Sequence, residues 1–548
     1  MGQPDHPLTI PAIFKETLSR VPGFPAMGFA GEKPITYREM GTRISSLISF
    51  LEMNNIKPGD RVAILSTNMP NWGIAFYAVT FMGAVAVPIL PDFSPIEVAN
   101  VLQHSGSSLI FVSSSLVQKL ENFVSDDLKY KIMLDDFTPV EGSGVTSYFN
   151  ESAVQSRSYA VSEDDLASII YTSGTTGRSK GVMLSHRNIS FTALKGRGIH
   201  HLDENDRFLS VLPLSHTYEN TLGLILPMLC GCCIYYLKKP PTPSVLLPAL
   251  EEVKPTAMLT VPLIIEKIYY NRILPAFREK VLIRLLYRIA LFRKILNLAA
   301  GKKLLKTFGG ELKFFGIGGA KLNRSVEKFL VEAHFPYAVG YGLTETAPLL
   351  AGANPEKTIL ESTGPALDGV ELQIHNPDKV TGEGEIWARG PNVMIGYYKD
   401  PGLTADVITG DGWFRTGDLG MFDKNNNLYI RGRLKNMIVG ASGENIYPEE
   451  IESVINDFRH VVESLVIQQK GKLVAFVHLN MEELEKKYHT LKAEASRQFD
   501  QKVEEILDEI RQYVNSRVNK FSQINKVVLQ PVPFQKTATQ KIKRFLYQ

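Results

Sequence analysis

Along the first 120 residues the hydrophobic positions alternate between two periods. From Ile10 to Arg20 and from Tyr37 to Asn54 they recur every three or four residues, which predicts amphipathic helices. Arg61-Val-Ala-Ile-Leu65, Ala84–Ile89 and Ser108–Val112 are short, nearly continuous apolar runs, as expected of strands covered on both faces. Helical stretches lie between and after them, Trp72–Met82 and Ile96–His104. Strands alternating with helices predict a wound parallel sheet. Residues 125–160 carry little pattern and read as a peripheral hairpin and linker. A second series begins near Asp206, with strands expected at Phe208–Leu214, Ile234–Leu237, Ala257–Val261, Leu312–Ile317 and Pro336–Val339. Past Gly382 the chain turns β-rich, at Gly384–Arg389, Leu428–Arg431 and Met437–Val439, with Gly-, Asp- and Asn-rich turns between. The expected fold class is α/β: a large N-terminal domain of two wound α/β units plus a small β-barrel-like subdomain, followed by a small α+β C-terminal domain from about Tyr447. Met481–Asn519 reads there as a charged, solvated helix or pair.

Composition changes this picture little. A chain of 548 residues, 44% hydrophobic and 21% charged, has the make-up of an ordinary globular protein with room for several cores. A formal net charge of +3 gives no argument for nucleic acid as a partner. Cys230, Cys232 and Cys233 sit in one apolar run with no His or Asp at ligand spacing, and read as buried free thiols of a reducing compartment. The N-terminus has no basic region followed by an apolar run, so a cytoplasmic location is expected. Gly73–Leu90 and Leu222–Leu237 are short for membrane spans and broken by Gly or Pro, and read as buried helix-to-strand units.

Local charge changes more. Between residues 272 and 306 ten Lys and Arg side chains are opposed by Glu279 alone. Lys280, Arg284 and Arg288 fall at i, i+4, i+8, beside a broad apolar face containing Val281, Leu285 and Phe292. The favoured reading is a helix packed on the core with a solvated basic face. The alternative is peripheral contact with an anionic membrane at its inner face.

Candidate chemistry collects first after the apolar run Leu166–Tyr171. Tyr171-Thr-Ser-Gly-Thr-Thr-Gly-Arg-Ser-Lys-Gly181 offers Gly174, Gly177 and Gly181, the hydroxyls of Thr172, Ser173, Thr175 and Thr176, and Lys180. Glycines let backbone approach an anion, hydroxyls and free N–H groups donate to it, and a lysine balances its charge. It is not a Walker A loop, because Gly181 and not Ser or Thr follows Lys180. Gly316-Ile-Gly-Gly-Ala320 and Tyr341-Gly-Leu-Thr-Glu-Thr346 both follow expected strands, where open α/β sheets bind ligands. Tyr341 can stack on a base, Glu345 can hold Mg2+ beside phosphates, and Asp418 can accept from ribose hydroxyls. Each alone is more often a turn or cap.

Together and in this order these stretches resemble the adenylate-forming (AMP-binding) superfamily over roughly residues 10–545, and within it the long-chain fatty-acid–CoA ligases. Leu212-Pro-Leu-Ser-His-Thr-Tyr-Glu219, Tyr429-Ile-Arg-Gly-Arg-Leu-Lys-Asn-Met-Ile438, Ser442-Gly-Glu-Asn-Ile-Tyr-Pro448 and Lys536-Thr-Ala-Thr-Gln-Lys-Ile-Lys543 carry the resemblance further. It implies ATP-dependent formation of an acyl-adenylate with Mg2+, then transfer of the acyl group to CoA. It further implies Lys541 as catalytic lysine, Thr344 and Glu345 at the α-phosphate and Mg2+, and Thr172 also at the metal. The loop Thr172–Lys180 would hold phosphates. Tyr341, Gly342, Gly318, Gly319 and Ala320 would hold adenine, and Asp418 and Arg433 ribose. His216 would lie at the acyl–pantetheine junction. A 1–433 adenylation domain, a 434–435 hinge with Lys435, and a mobile 436–548 domain follow, the last bringing Gly443 and Glu444 to CoA. Gln540 departs from the family, which usually has Gly there. Transfer to a carrier protein, or a non-catalytic nucleotide-binding paralogue, are the alternatives.

Overall fold

The computed structural model describes residues 7–145, 147–151, 158–173, 179–440, 444–488, 495–537 and 541–547. Two large sheets form the body. The first has seven strands, in the order Gly396–Tyr397, Ser179–Ser185, Leu166–Ser173, Val85–Ile89, Arg61–Leu65, Leu109–Val112 and Tyr130–Met133. The last five are parallel. The hairpin partner Ser179–Ser185 and the short strand Gly396–Tyr397 are added antiparallel. Tyr130–Met133, within the peripheral hairpin and linker expected over 125–160, is an edge strand that pairs parallel with Leu109–Val112 and bridges back antiparallel from Ile132 to Pro139.

The second sheet has eight strands, in the order Leu349–Gly352, Tyr337–Gly342, Phe314–Ile317, Ala257–Thr260, Arg207–Leu209, Cys233–Tyr236, Pro25–Phe29 and Ile35–Thr36. Pro25–Phe29, from the N-terminal region, runs parallel to Cys233–Tyr236, with Met27 opposite Ile234. The strand expected over Phe208–Leu214 stops at Leu209, because the following residues form the loop of the site. Helices cover both sheets. One core, including Phe14, Phe50, Trp72, Phe76, Leu224 and Tyr236, joins elements of the two sheets, and separate cores fill the outer faces. The fully buried Val85–Ile89, apolar at every position, is the pattern of a strand covered twice.

The β-rich part is an open antiparallel sheet, ordered Glu371–His375, Gly384–Arg389, Phe414–Phe422 and Leu428–Arg433. After it come the hairpin Ile438–Val439/Asn445–Ile446, the helix Pro448–Asn456 and a three-stranded sheet of Val461–Gln469, Lys472–Leu479 and Lys526–Leu529. Helices Met481–Tyr488 and Ala495–Asn515 belong to this unit, which has its own core of Ile451, Ile455, Ala475, Val477, Ile506 and Ile510. Its contacts with the body are largely polar: Tyr270 donates to Asp457 at 2.5 Å, Ser325 to Asp457 at 2.9 Å, and Tyr447 to Glu383 at 2.7 Å. The three cysteines are buried and free. Gly73–Leu90 and Leu222–Leu237 are buried helix-to-strand units, and among the described residues no helix is long and apolar enough to cross a membrane.

The basic stretch departs from the favoured expectation. It is not one helix but Leu274–Arg278, Val281–Leu286 and Ala290–Thr307. Lys280 and Arg288 fall outside the helices, so the i, i+4, i+8 row is broken. Its apolar face is not packed on the core: Leu282 is 69% exposed and Leu291 66%.

Candidate active site

Three strand ends of the second sheet build one wall. Phe314–Ile317 leads into Gly318, whose N–H donates to Thr260 O at 3.1 Å. Gly318 is buried under the Tyr218 ring, whereas Gly319 and Ala320 are exposed. Tyr337–Gly342 delivers Tyr341 and Gly342. A Cβ on Gly342 would stand 1.6 Å from Pro348 O, so no other residue fits that crossing. A single 3-10 turn, Thr344–Thr346, then presents Thr344 and Glu345. It is fixed from beneath: Asn392 Nδ2 donates to Thr346 O at 3.2 Å and to Leu349 O at 2.8 Å.

The hairpin of the first sheet faces this turn. Thr172 pairs with Lys180 and Ser173 with Ser179 at its tip. Gly174, Thr175, Thr176 and Gly177 lie outside the described residues. Tyr397, on the strand beside the hairpin, connects the two walls. Its hydroxyl donates to Glu345 Oε1 at 2.8 Å, and Lys180 Nζ sits 5.1 Å from its ring centre. Met394 N–H donates to Glu345 O at 2.9 Å. Glu345 Oε2 makes no hydrogen bond with a described residue. One open carboxylate oxygen, with no cluster of three or more candidate ligands among the described residues, is a donor set that fits Mg2+, which takes few carboxylates and completes its shell with phosphate oxygens and water.

The four-stranded sheet supplies Asp418 and Arg433 from facing positions on adjacent strands. Arg433 Nε lies 2.8 Å from Asp418 Oδ1, and Tyr341 OH donates to Oδ2 at 2.8 Å. Burial raises the Asp418 pKa, against the pull of Arg433, the Tyr341 hydroxyl and Lys541. Lys541 arrives from the far end of the chain. Thr537 N–H donates to Lys541 O at 2.8 Å. Lys536 is paired to Glu463 at 2.5 Å and Arg544 to Glu452. These anchors hold Lys541 where its charge acts on Asp418, Glu345, Arg433 and His216. Crowding by protein atoms, with Arg433 next, lowers its pKa from the usual lysine range; the residue keeps solvent access.

His216 sits on the loop after Arg207–Leu209. Its Nδ1 accepts from Tyr218 N–H at 3.2 Å, which leaves Nε2 as the proton-bearing nitrogen of a neutral ring. Burial, then Lys541, pushes its pKa down to about 4, in agreement. Two residues without a sequence signal clamp this loop. Asn68, following a strand of the first sheet, accepts from Leu214 N–H at 2.9 Å and donates to Leu212 O at 2.6 Å and Ser210 Oγ at 2.9 Å. Ser210 in turn donates to Glu219 Oε1 at 2.5 Å, and burial pushes the Glu219 pKa up to about 8.

Beside Tyr218 opens a narrow cavity of about 60 Å³, between the second sheet and the helical segment 219–230. Leu222, Leu226, Phe314, Val339 and Leu349 line it. Among its described lining residues, His200 and Tyr218 are the only ones with polar side chains and none is Asp, Glu, Lys or Arg. Lys435 lies apart, exposed in the turn Leu434–Asn436. Glu444 lies on the separate hairpin, where its carbonyl accepts from Gly440 N–H at 2.8 Å, and Gly443 is outside the described residues. The structure thus brings together Tyr341, Glu345, Asp418 and Arg433, with Lys541 in electrostatic range of them and of His216. Tyr397, Tyr218, Asn68 and Glu219 are additions. Tyr218 and Glu219 fall inside the quoted motif Leu212–Glu219, but nothing in spacing distinguishes them from packing residues.

Residues 14–398 match the AMP-binding enzyme family, and the chain belongs to that family. It is 29% identical over 497 residues to a long-chain-fatty-acid–CoA ligase of Drosophila melanogaster, spanning 82% of this chain and 72% of that one. It is 27% identical over 545 residues to a 4-coumarate–CoA ligase of Humulus lupulus, spanning 95% and 90%. In fold it is similar to o-succinylbenzoate–CoA synthetase of Bacillus subtilis, solved with ATP and magnesium ion, with a TM-score of 0.76 at 23% identity over 97% of this chain and 98% of that one.

Proposed function

We propose that the protein is an AMP-forming acid–thiol ligase acting on a fatty acid. The acid's carboxylate attacks the α-phosphate of ATP, giving acyl-adenylate and pyrophosphate. The thiol of CoA then attacks the acyl carbon and AMP leaves, giving fatty acyl-CoA. One observation supports this most: the Lys541 charge lies within electrostatic range of Glu345, Asp418 and His216, and Tyr218 joins that group to an uncharged apolar cavity. A carboxylate and a phosphate repel each other, so their reaction needs fixed positive charge between them. Lys541 is assigned that role, and Thr344 the α-phosphate. Mg2+, held at Glu345 Oε2 and Thr172, would neutralise phosphate charge. Thr172–Lys180 would cradle pyrophosphate, Gly318–Ala320, Tyr341 and Gly342 adenine, and Asp418 with Arg433 ribose. The cavity suits an alkyl chain, since it offers no partner for a second charge.

Residues 1–433 and 436–548 would be the two domains and 434–435 with Lys435 their hinge. The arrangement with Lys541 at the site suits adenylation. Rotation would withdraw Lys541 and bring the hairpin of Gly443 and Glu444 to CoA, with His216 at the acyl–pantetheine junction. The polar domain contacts fit an interface that can part.

Lys541→Ala is expected to lower acyl-adenylate formation by about 10²–10³-fold, while preformed acyl-adenylate still yields thioester. Equal loss of both steps overturns the hinge assignment. A series of acids from acetate to oleate, with 4-coumarate and o-succinylbenzoate as comparators, should give the highest kcat/KM at long chains, with thioester followed by mass. A maximum at an aromatic acid overturns the choice of acid alone, and acyl-adenylate accumulating despite CoA overturns the choice of acceptor.

A further inference from the structure

Of the three helices between Leu274 and Thr307, the first and last are anchored, and Val281–Leu286 between them has no buried residue. Phe277 stacks on Tyr287 at 4.8 Å, and Tyr287 OH donates to Asn297 Oδ1 at 3.1 Å. Asn297 in turn donates to Glu332 at 2.8 Å. The long helix Ala290–Thr307 packs through Asn297, Gly301 and Leu304. Gly301 allows the closest approach, since a Cβ there would stand 2.4 Å from Ala333 O. That side is small and partly polar. The large apolar groups are on the opposite side: Leu291, Phe292 and Ile295 are exposed, and so are Val281, Leu282 and Leu285 of the preceding helix, with Ile289 between them. So many exposed apolar side chains within 15 residues call for a partner.

The charges around it say which. Ten Lys and Arg lie in residues 272–306 with one acid. Arg293 is turned inward, at 2.9 Å from Glu332. Arg272, Arg278, Lys280, Arg284, Arg288 and Lys294 are exposed and form no ion pair with a described residue. A second copy of the chain is a poor match, because a two-fold contact would set this same basic rim against itself. An anionic bilayer matches both features: apolar side chains enter the acyl boundary while long cationic ones reach the headgroup phosphates.

We propose that the face formed by Val281–Leu286 and the N-terminal half of Ala290–Thr307 docks the protein on an anionic membrane surface. This goes beyond the ligase reading and holds whatever acid is activated. Flotation of the full chain with vesicles of phosphatidylcholine containing about one-third phosphatidylglycerol tests it, with phosphatidylcholine alone as control. Binding to the anionic vesicles, weakened by salt, is expected. The double variants L282D/L291D and R284Q/R288Q should each lower partitioning by about tenfold or more, with melting temperatures close to the parent's. No flotation with anionic vesicles, or flotation unchanged in both variants, overturns the proposal. So does light scattering that finds a parent dimer broken by L282D/L291D, with vesicle binding unaffected.

Discussion

Residues 215–221 and 281–295 break the rule of apolar inside and polar outside in opposite directions. In the first, Ser215, Thr217, Glu219, Asn220 and Thr221 are all at most 2% exposed, and each has a polar side-chain atom without a partner among the described residues. Glu219 begins a wide-turned π-helix, Glu219–Ile225, a form frequent at functional sites. In the second, apolar side chains stand in water on the short helix Val281–Leu286, which has no buried residue, and on the anchored helix Ala290–Thr307. Burying polar groups and exposing apolar ones both oppose folding. Under the two proposals above, both stretches adjoin something the chain does not supply itself. The first lies between the His216 loop and the apolar cavity, and around the second Arg272, Arg278, Lys280, Arg284, Arg288 and Lys294 have no ion-pair partner among the described residues. Misplaced polarity marks where a molecule's neighbours are not its own residues.

The contrast can be broken most strongly by placing one charge in the π-helix that continues the first region and one in the second. Leu224, fully buried within the π-helix, should not tolerate Asp: Leu224→Asp is expected to destabilise by more than about 4 kcal/mol, seen as loss of the thermal transition or of soluble protein. Glu219→Gln sharpens it. The folded protein holds the Glu219 proton from the ordinary 4.5 up to about 8, where the unfolded chain has lost it. Folding therefore binds protons in this window, and the parent loses stability as pH rises through it. The melting temperature of Glu219→Gln minus that of the parent should climb from pH 5 to pH 8 and then level. A flat difference would mean that Glu219 is ionised when folded. Ser210→Ala, which removes the hydroxyl between Asn68 and Glu219, should cost about 1–3 kcal/mol in the same melts. Leu291→Asp should change stability by no more than about 0.5 kcal/mol; a loss comparable with Leu224→Asp would mean that the outer face is covered.

The sequence was most informative where one pattern dominated. The continuous apolar runs at 61–65 and 84–89 became twice-covered strands, and the helical spacings over Tyr37–Asn54 and Ile96–His104 became the helices Tyr37–Met53 and Pro95–Ser105. Order along the chain was legible; sheet membership was not. Nothing local in Pro25–Phe29 says that its partner is Cys233–Tyr236, because pairing is decided by packing of distant elements. For the site, motifs marked Tyr341, Glu345, Asp418, Arg433 and Lys541, whose proximity the fold then supplies. They did not mark Tyr397 or Asn68, whose roles are to hold other residues and which carry no distinctive spacing. The basic stretch was misjudged for a related reason. An amphipathic pattern states that a helix has an apolar face but not whether the protein covers it.

The pairing of Pro25–Phe29 with Cys233–Tyr236 has a consequence for how the protein is made. Met27 must wait until Ile234, roughly 200 residues later, has left the ribosome. At bacterial to eukaryotic rates of synthesis that is a delay of about 10–40 s. The N-terminal helices and the parallel strands at 61–65, 85–89 and 109–112 emerge during that time, while the core they share with Leu224 and Tyr236 is still missing one side. The nascent chain therefore exposes an unfinished apolar surface over most of the first sheet's synthesis, and that interval is when it is open to chaperones and to misassembly.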